Sequence, residues 1–395
     1  MSVEPQRAAG GVEQGTPILP GQRSGEDGVD PSDSYGYEPT LPYGVEPPAP
    51  GPGPVVGEGR PWPSARRQIG TAVAVLGWAI AAFLIGHRFL PDSAGIASLL
   101  ETWLPWLAVP TALLLIAALA ARSLRALFAT VAATAVWLGG YGPQLFPRGD
   151  PIPANLRVIS EDVNASSVEL AGVGQLGPNQ HADVVALEHL TPALATSSAS
   201  QNLNAAYGYH VTQYEFGVWS RYPIADARGV DLATSTTAAA DDANDANPSL
   251  VAAVPHVVVG ALRVTVTTPQ GPLVFYVVHI PQPVLGDQGF AKVRDEAVTR
   301  LAKTVSADAA PRLAVVGDIN VAQTDRRFSQ LSSGLGLTSA QAAAGSGFGF
   351  TWPAEFPAVR LDDLLLRGGT PVRSVVLPAL SGGKSHLPIE IDLHL

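Results

Sequence analysis

Three stretches without a charged side chain follow one another in the first third of the chain, at 69–86, 103–121 and 127–146. Each has about the 17–25 residues with which a helix crosses a hydrocarbon layer. Trp103, Trp106, Tyr141 and Phe146 lie near their ends, where interfacial aromatics gather. Pro105 sits at the start of the second stretch and Pro110 inside it, where it predicts a kink. Before them, residues 1–65 are rich in Pro, Gly and Glu and show neither helix nor strand period. Such a tail buries too little surface to offset its ordering entropy and reads as disordered.

From about residue 155 the pattern changes to short apolar runs separated by turns. Strands are predicted at 156–160, 183–187, 216–220, 257–266, 273–279, 313–316 and 389–395. An amphipathic helix is predicted over 289–306, with Val293, Ala297 and Leu301 four residues apart. The Ala, Thr, Asp and Asn of 229–250 read as a surface insertion of low complexity. The chain therefore divides into a tail (1–65), three transmembrane helices (66–147) and an α/β domain (151–395).

Composition supports that division. Of 395 residues, 46% are apolar and only 15% are charged, a low share for a protein without membrane content. There is no cysteine, which excludes disulfides and thiolate metal sites. Arg60, Arg66, Arg67, Arg122 and Arg125 lie on one side of the three spans, Arg88 and Arg148 on the other. That asymmetry places the tail in the cytoplasm and the C-terminal domain outside a plasma membrane crossed several times. Within 151–395, 12 Arg and 3 Lys face 15 Asp and 7 Glu, a balance of −7. Binding to a long polyanion favours a basic face, so nucleic acid is disfavoured as a partner.

The octet Leu313-Ala-Val-Val-Gly-Asp-Ile-Asn320 is the clearest chemical signal. It reads as a buried strand ending in a turn, with Asp318 and Asn320 projecting together. Asp can orient or deprotonate a water, and Asn can hold a phosphate or metal-bound oxygen. The same octet also fits a plain strand closed by an Asx turn.

Further motifs follow in order. They are Leu156-Arg-Val-Ile-Ser160, Asp183-Val-Val-Ala-Leu-Glu-His189, Gly217-Val-Trp-Ser-Arg-Tyr-Pro-Ile224 and Val277-Val-His-Ile-Pro281. After Gly317-Asp-Ile-Asn320 come Thr351-Trp-Pro353, Arg360-Leu-Asp-Asp363 and Ser385-His-Leu-Pro388. In this order the domain resembles the endonuclease/exonuclease/phosphatase superfamily and its membrane-tethered bacterial members. The resemblance implies a four-layer α-β-β-α sandwich, deoxyribonuclease-like, and hydrolysis of a small or lipid phosphoester with a divalent metal, Mg or Mn. It implies that Asp318 orients water, that His279 and Asn320 bind phosphate, and that His386, paired with Asp362, stabilises the phosphate or protonates the leaving group.

Three positions depart from the family pattern. Asp162 stands where the family has Asn, His189 where it has a Glu metal ligand, and Ser385 where it has Asp. Glu188 lies one residue before the expected ligand, and a one-residue offset along a strand would turn it away. The metal is then expected on Asp162 and His189, a pair that favours Mn²⁺ or Zn²⁺ over Mg²⁺. The alternative is a catalytically inactive binding or scaffold domain on the same fold.

Overall fold

The computed structural model describes residues 64–234, 257–284, 289–380 and 385–395. The tail expected over 1–65 thus lies outside the described residues up to 63, and Ala65 already opens a helix.

Four helices come first: α1 (Ala65–Gly86), α2 (Ile96–Thr102), α3 (Ala108–Ala120) and α4 (Leu124–Tyr141). Two spans, Ala65–Phe89 and Leu124–Leu145, are long and apolar enough to cross a membrane, and α2 with the segment Leu104–Ala120 makes a third if that pair, bent by 60°, counts as one span. The bend lies at Trp103 rather than at the expected Pro110. Pro110 falls in the first turn of α3, where its missing N–H costs no helical bond. Small residues bring the helices together. A Cβ on Gly77 would lie 3.1 Å from the Ala129 backbone, and one on Gly70 would meet the Ser123 hydroxyl at 2.6 Å. Val75, Leu76, Trp78, Leu113, Ile116 and Phe128 instead point outward, exposed.

The remainder forms two six-stranded sheets. The first holds β1 (Leu156–Asp162), β2 (Val184–Glu188), β3 (Tyr209–Gln213), β4 (Phe216–Ser220), β11 (Thr370–Val376) and β12 (Ile389–His394), in the order β11-β12-β1-β2-β4-β3. The second holds β5 (Ile224–Thr234), β6 (Val257–Thr268), β7 (Gly271–His279), β8 (Leu313–Asp318), β9 (Thr338–Ser339) and β10 (Asp362–Arg367), in the order β5-β6-β7-β8-β10-β9. Every strand predicted from an apolar run is present. The predicted insertion at 229–250 begins inside β5, and its residues 235–250 lie outside the described residues.

Alternation along the strands sorts the core into layers. Val158, Val184, Phe275, Val316, Leu364 and Ile391 face the other sheet. Ile159, Val185 and Leu187 face outward onto α5 (Ser167–Asn179). Val315 and Leu365 face outward onto the long helix Lys292–Ala307, whose Ala297, Val298 and Leu301 cover them. That helix is the one expected at 289–306. The result is the α-β-β-α sandwich, with an apolar layer between the sheets.

Candidate active site

The same alternation builds the site. Asp162 continues the inward face of Leu156 and Val158, Asp318 that of Ala314 and Val316, His279 that of Phe275 and Val277, and Asp362 that of Leu364 and Leu366. Register then lines them up. Asp318 lies opposite His279 on one side and Asp362 on the other, and Asp162 lies opposite Glu188 in the facing sheet. The polar ends of the inner strands thus meet at one end of the sandwich, where the apolar layer stops.

His386 Nδ1 is 2.7 Å from Asp362 Oδ2, and its Nε2 is 4.0 Å from Asp318 Oδ2. His279 Nε2 lies 3.9 Å from the same Asp318 oxygen. His189 Nδ1 is 3.6 Å from Asp162 Oδ1, and its ring packs on that of His279 with centroids 5.1 Å apart. Asp162, His189, His279, Asp318, Asn320, Asp362 and His386 are therefore brought together at this end. Ser385 sits beside His386, and its carbonyl accepts from Ala354 N at 3.1 Å.

The turn after β8 fits both readings of the octet. Asn320 has φ +50°, and its N–H donates to Asp318 Oδ1 at 3.0 Å, which is an Asx turn. Its side-chain amide donates to Ile280 O at 2.7 Å and to the Asp318 carboxylate. Both amide hydrogens are thereby engaged, and in this conformation Asn320 fixes Asp318. To hold a phosphate oxygen it would have to release one of them.

Glu188 corrects the reading of its strand. It does not face away. β2 ends at Glu188, on the inward face of Val184 and Ala186. His189 has φ +52°, outside the strand conformation, and reaches the same side by breaking the alternation. Glu188 is fully buried. Ser160 Oγ donates to its Oε1 at 3.1 Å, while its Oε2 has no hydrogen-bond partner among the described residues. Gly317, at φ +129°, makes the room, since a Cβ there would meet Glu188 Oε1 at 2.7 Å. Strand parity gave this signal in the sequence, because Val184, Ala186 and Glu188 share one face.

Burial and crowding divide the titratable groups. Burial, with Asp162 and Asp362 nearby, pushes the Glu188 carboxyl well above its ordinary value. Burial does the same to Asp318, where Asp362 and Asp162 add to it and His386 opposes it. Asp162 also feels burial, but His279, His386 and His189 outweigh it and hold the carboxyl below its ordinary value. Burial would lower the His386 imidazole, yet Asp362 and Asp318 raise it well above 6.5. Burial dominates at His279 and lowers it.

A divalent cation suits this donor set. The ligand atoms of Asp162, His189 and His279 lie within 4.8 Å of one another, as do those of Asp162, Asp318 and His386. Glu188 Oε2, without a hydrogen-bond partner among the described residues, is a further carboxylate oxygen beside Asp162. Mixed carboxylate and imidazole donors suit Mn²⁺ or Zn²⁺ at least as well as Mg²⁺.

A model of the endonuclease/exonuclease/phosphatase family matches residues 154–385. The chain belongs to that family. No curated protein matches it significantly. Among solved structures it is similar to the 3′ phosphatase NExo from Neisseria bound to a product DNA hairpin, at 16% identity and TM-score 0.47, covering 61% of this chain and 100% of that one. It is similar to TDP2 from D. rerio complexed with a single-stranded DNA product, at 16% identity and TM-score 0.43, covering 61% and 99%. It is also similar to a mannosyl-6-phosphatase from Bacteroides thetaiotaomicron, at 14% identity and TM-score 0.44, covering 61% and 100%. These comparisons lend no support to the expectation, drawn from net charge, that nucleic acid is disfavoured.

Proposed function

We propose that the chain is a membrane-anchored phosphoesterase that uses a divalent metal. The observation that carries this reading is the convergence of Asp162, His189, His279, Asp318, Asp362 and His386 at one end of the sandwich. Asp318, held from one side by the Asn320 amide, is the group to orient the attacking water and take its proton. His386, kept protonated by Asp362, is the donor to a phosphate oxygen or to the leaving group. His279, whose imidazole burial lowers, is a neutral ligand or hydrogen-bond donor. Asp162, His189 and His279 would hold the cation, which would supply charge neutralisation for the phosphoester.

The apolar outer surface of α1, α3 and α4 supports the anchor. With the Arg asymmetry, it favours a cytoplasmic tail and an extracytoplasmic domain. A C-terminal alkaline phosphatase fusion tests this sidedness, because it is active only outside the cytoplasm.

Turnover of bis-p-nitrophenyl phosphate by the purified full chain with Mg²⁺, Mn²⁺ and Zn²⁺ tests the chemistry. Metal-dependent turnover that is lost in Asp318→Asn is the expected result. Ser385, which offers no carboxylate, favours the second reading of a non-catalytic scaffold. Metal binding without turnover of any phosphoester would establish that reading instead.

A further inference from the structure

The end of the sandwich that carries the site is also the end that docks on the apolar helices. Two of the segments that make the contact are continuous with site residues. The first runs on from Asn320: Ala322 packs under Trp106, Asp325 binds Arg294 and Ser98, and Arg326 binds Glu101. The Arg326 guanidinium lies 2.9 Å from Glu101 Oε1 and also donates to the carbonyls of His87 and Leu90, at the end of the first span. The second segment leads into Asp362. Its Phe348 packs with Leu84, Leu104 and Trp137 at the helix ends, and Phe350 stacks on Trp106 at 5.8 Å. Trp106 Nε1 donates to Ala358 O at 2.7 Å. The C-terminal end of α1, the residues just before α3 and the C-terminal end of α4 all meet the domain here, so this is one face of the bundle.

The same second segment borders His386. Ala354 N donates to Ser385 O at 3.1 Å, and Leu387 N to Thr351 O at 2.9 Å. Its turn leaves large apolar groups uncovered: Phe356 is 68% exposed and Trp352 37%. Val284, five residues after His279, is 54% exposed. Apolar side chains at a mouth seated on membrane helices lie where headgroups meet acyl chains.

We propose that the site takes its substrate from the bilayer: the phosphate headgroup of a phospholipid in the leaflet beneath it, with the acyl chains staying in the membrane along Trp352 and Phe356. This rests on the phosphoesterase reading and on the helices crossing a membrane. In the reaction, water oxygen bonds to phosphorus, the ester P–O bond breaks, and the water's proton ends on the leaving alkoxide oxygen. Attachment to the bilayer restricts the substrate to two dimensions beside the mouth and raises its effective concentration there.

The test uses the full chain in vesicles of phosphatidylcholine and phosphatidylglycerol, with two independent readouts. One is photocrosslinking from Phe356→p-benzoylphenylalanine, compared with the same change at Thr267, which is exposed near the β6–β7 turn at the opposite end of the sandwich. The other is hydrolysis of vesicle phospholipid against bis-p-nitrophenyl phosphate. A lipid adduct at position 356 at least tenfold above that at 267, with hydrolysis of vesicle lipid, is expected. Turnover of the soluble diester with no lipid adduct and no lipid hydrolysis overturns the inference and leaves the phosphoesterase reading intact. A lipid adduct with no hydrolysis of either substrate retires the phosphoesterase reading and, with it, the inference that phospholipid is the substrate.

Discussion

His386 Nδ1 sits 2.7 Å from Asp362 Oδ2, and both side chains are buried beside Asp318. Burial alone would discharge this imidazole, yet the two carboxylates raise it well above 6.5. A group whose folded value is raised contributes stability in full below its unfolded value. That contribution is lost as pH rises through the folded value. In the metal-free protein, the His386 ring should therefore stay protonated through neutral pH in an NMR titration. Asp362→Asn should move its midpoint down. An unchanged midpoint would mean that Asp362 does not hold the charge.

Asp308 offers the opposite sign, away from the site. Burial works to raise it, but Arg263 at 2.7 Å, the Ala310 amide and the Tyr276 hydroxyl at 2.8 Å bring it down to about 2. Its stabilisation is present above the unfolded carboxylate range and fades as pH falls toward the folded value. Asp308→Asn should cost roughly 1–3 kcal/mol near neutral pH, as for a lost hydrogen bond to a charged group. Thermal unfolding in detergent should show this penalty shrinking between about pH 4 and pH 2. A penalty independent of pH would exclude the ion pair as its source.

Arg294 is 2% exposed and binds Asp325 at 3.0 Å, with the Ser98 hydroxyl against both. Arg294→Ala leaves Asp325 buried without its cation and should cost about 3–5 kcal/mol, whereas Asp325→Ala should cost less, because Arg294 also binds Asp295 at 2.7 Å. The double variant should lose much less than the sum, because the two side chains act as a unit. Additive losses in a denaturant series would show that the pair is not coupled.

The sequence was most legible where apolar runs are long. Every strand predicted from such a run is present, but β3, β5, β9, β10 and β11 are not among the predicted strands. The residues of β3 are exposed or half-buried, and β11 mixes buried, half-buried and exposed positions, so neither carries a clear apolar signal. The site residues were legible as types at strand ends, because parity along Leu313–Asp318 and register with His279 and Asp362 do the assembling. An unbroken strand through His189 turns Glu188 away, whereas the strand stops one residue earlier and His189 turns back at positive φ. The docking of the site on the helices was not legible at all. Glu101 and Arg326 are 225 residues apart, and nothing local in either segment announces the other.

The metal site gives the last prediction. His189→Glu and Ser385→Asp together restore the family's carboxylates. They also add two negative charges to a space where burial and mutual repulsion already push Glu188 and Asp318 upward. Without metal, the double variant should therefore melt lower than the unaltered chain, since like charges at close range are costly. With Mg²⁺ the order should reverse. A ligand at about a hundred times its dissociation constant adds about 2.7 kcal/mol to a protein that binds it only when folded. For a chain of this size that is a rise of several degrees in Tm. Single reversions should respond less, because groups that share one ion act together. The unaltered chain, with His189 near Asp162, should instead gain more from Mn²⁺ or Zn²⁺ than from Mg²⁺. Thermal unfolding across the three ions, with calorimetry for the binding itself, reads all of this without requiring turnover. If none of the ions raises the midpoint of either protein, Asp162 and His189 hold no cation, and the scaffold reading takes its place.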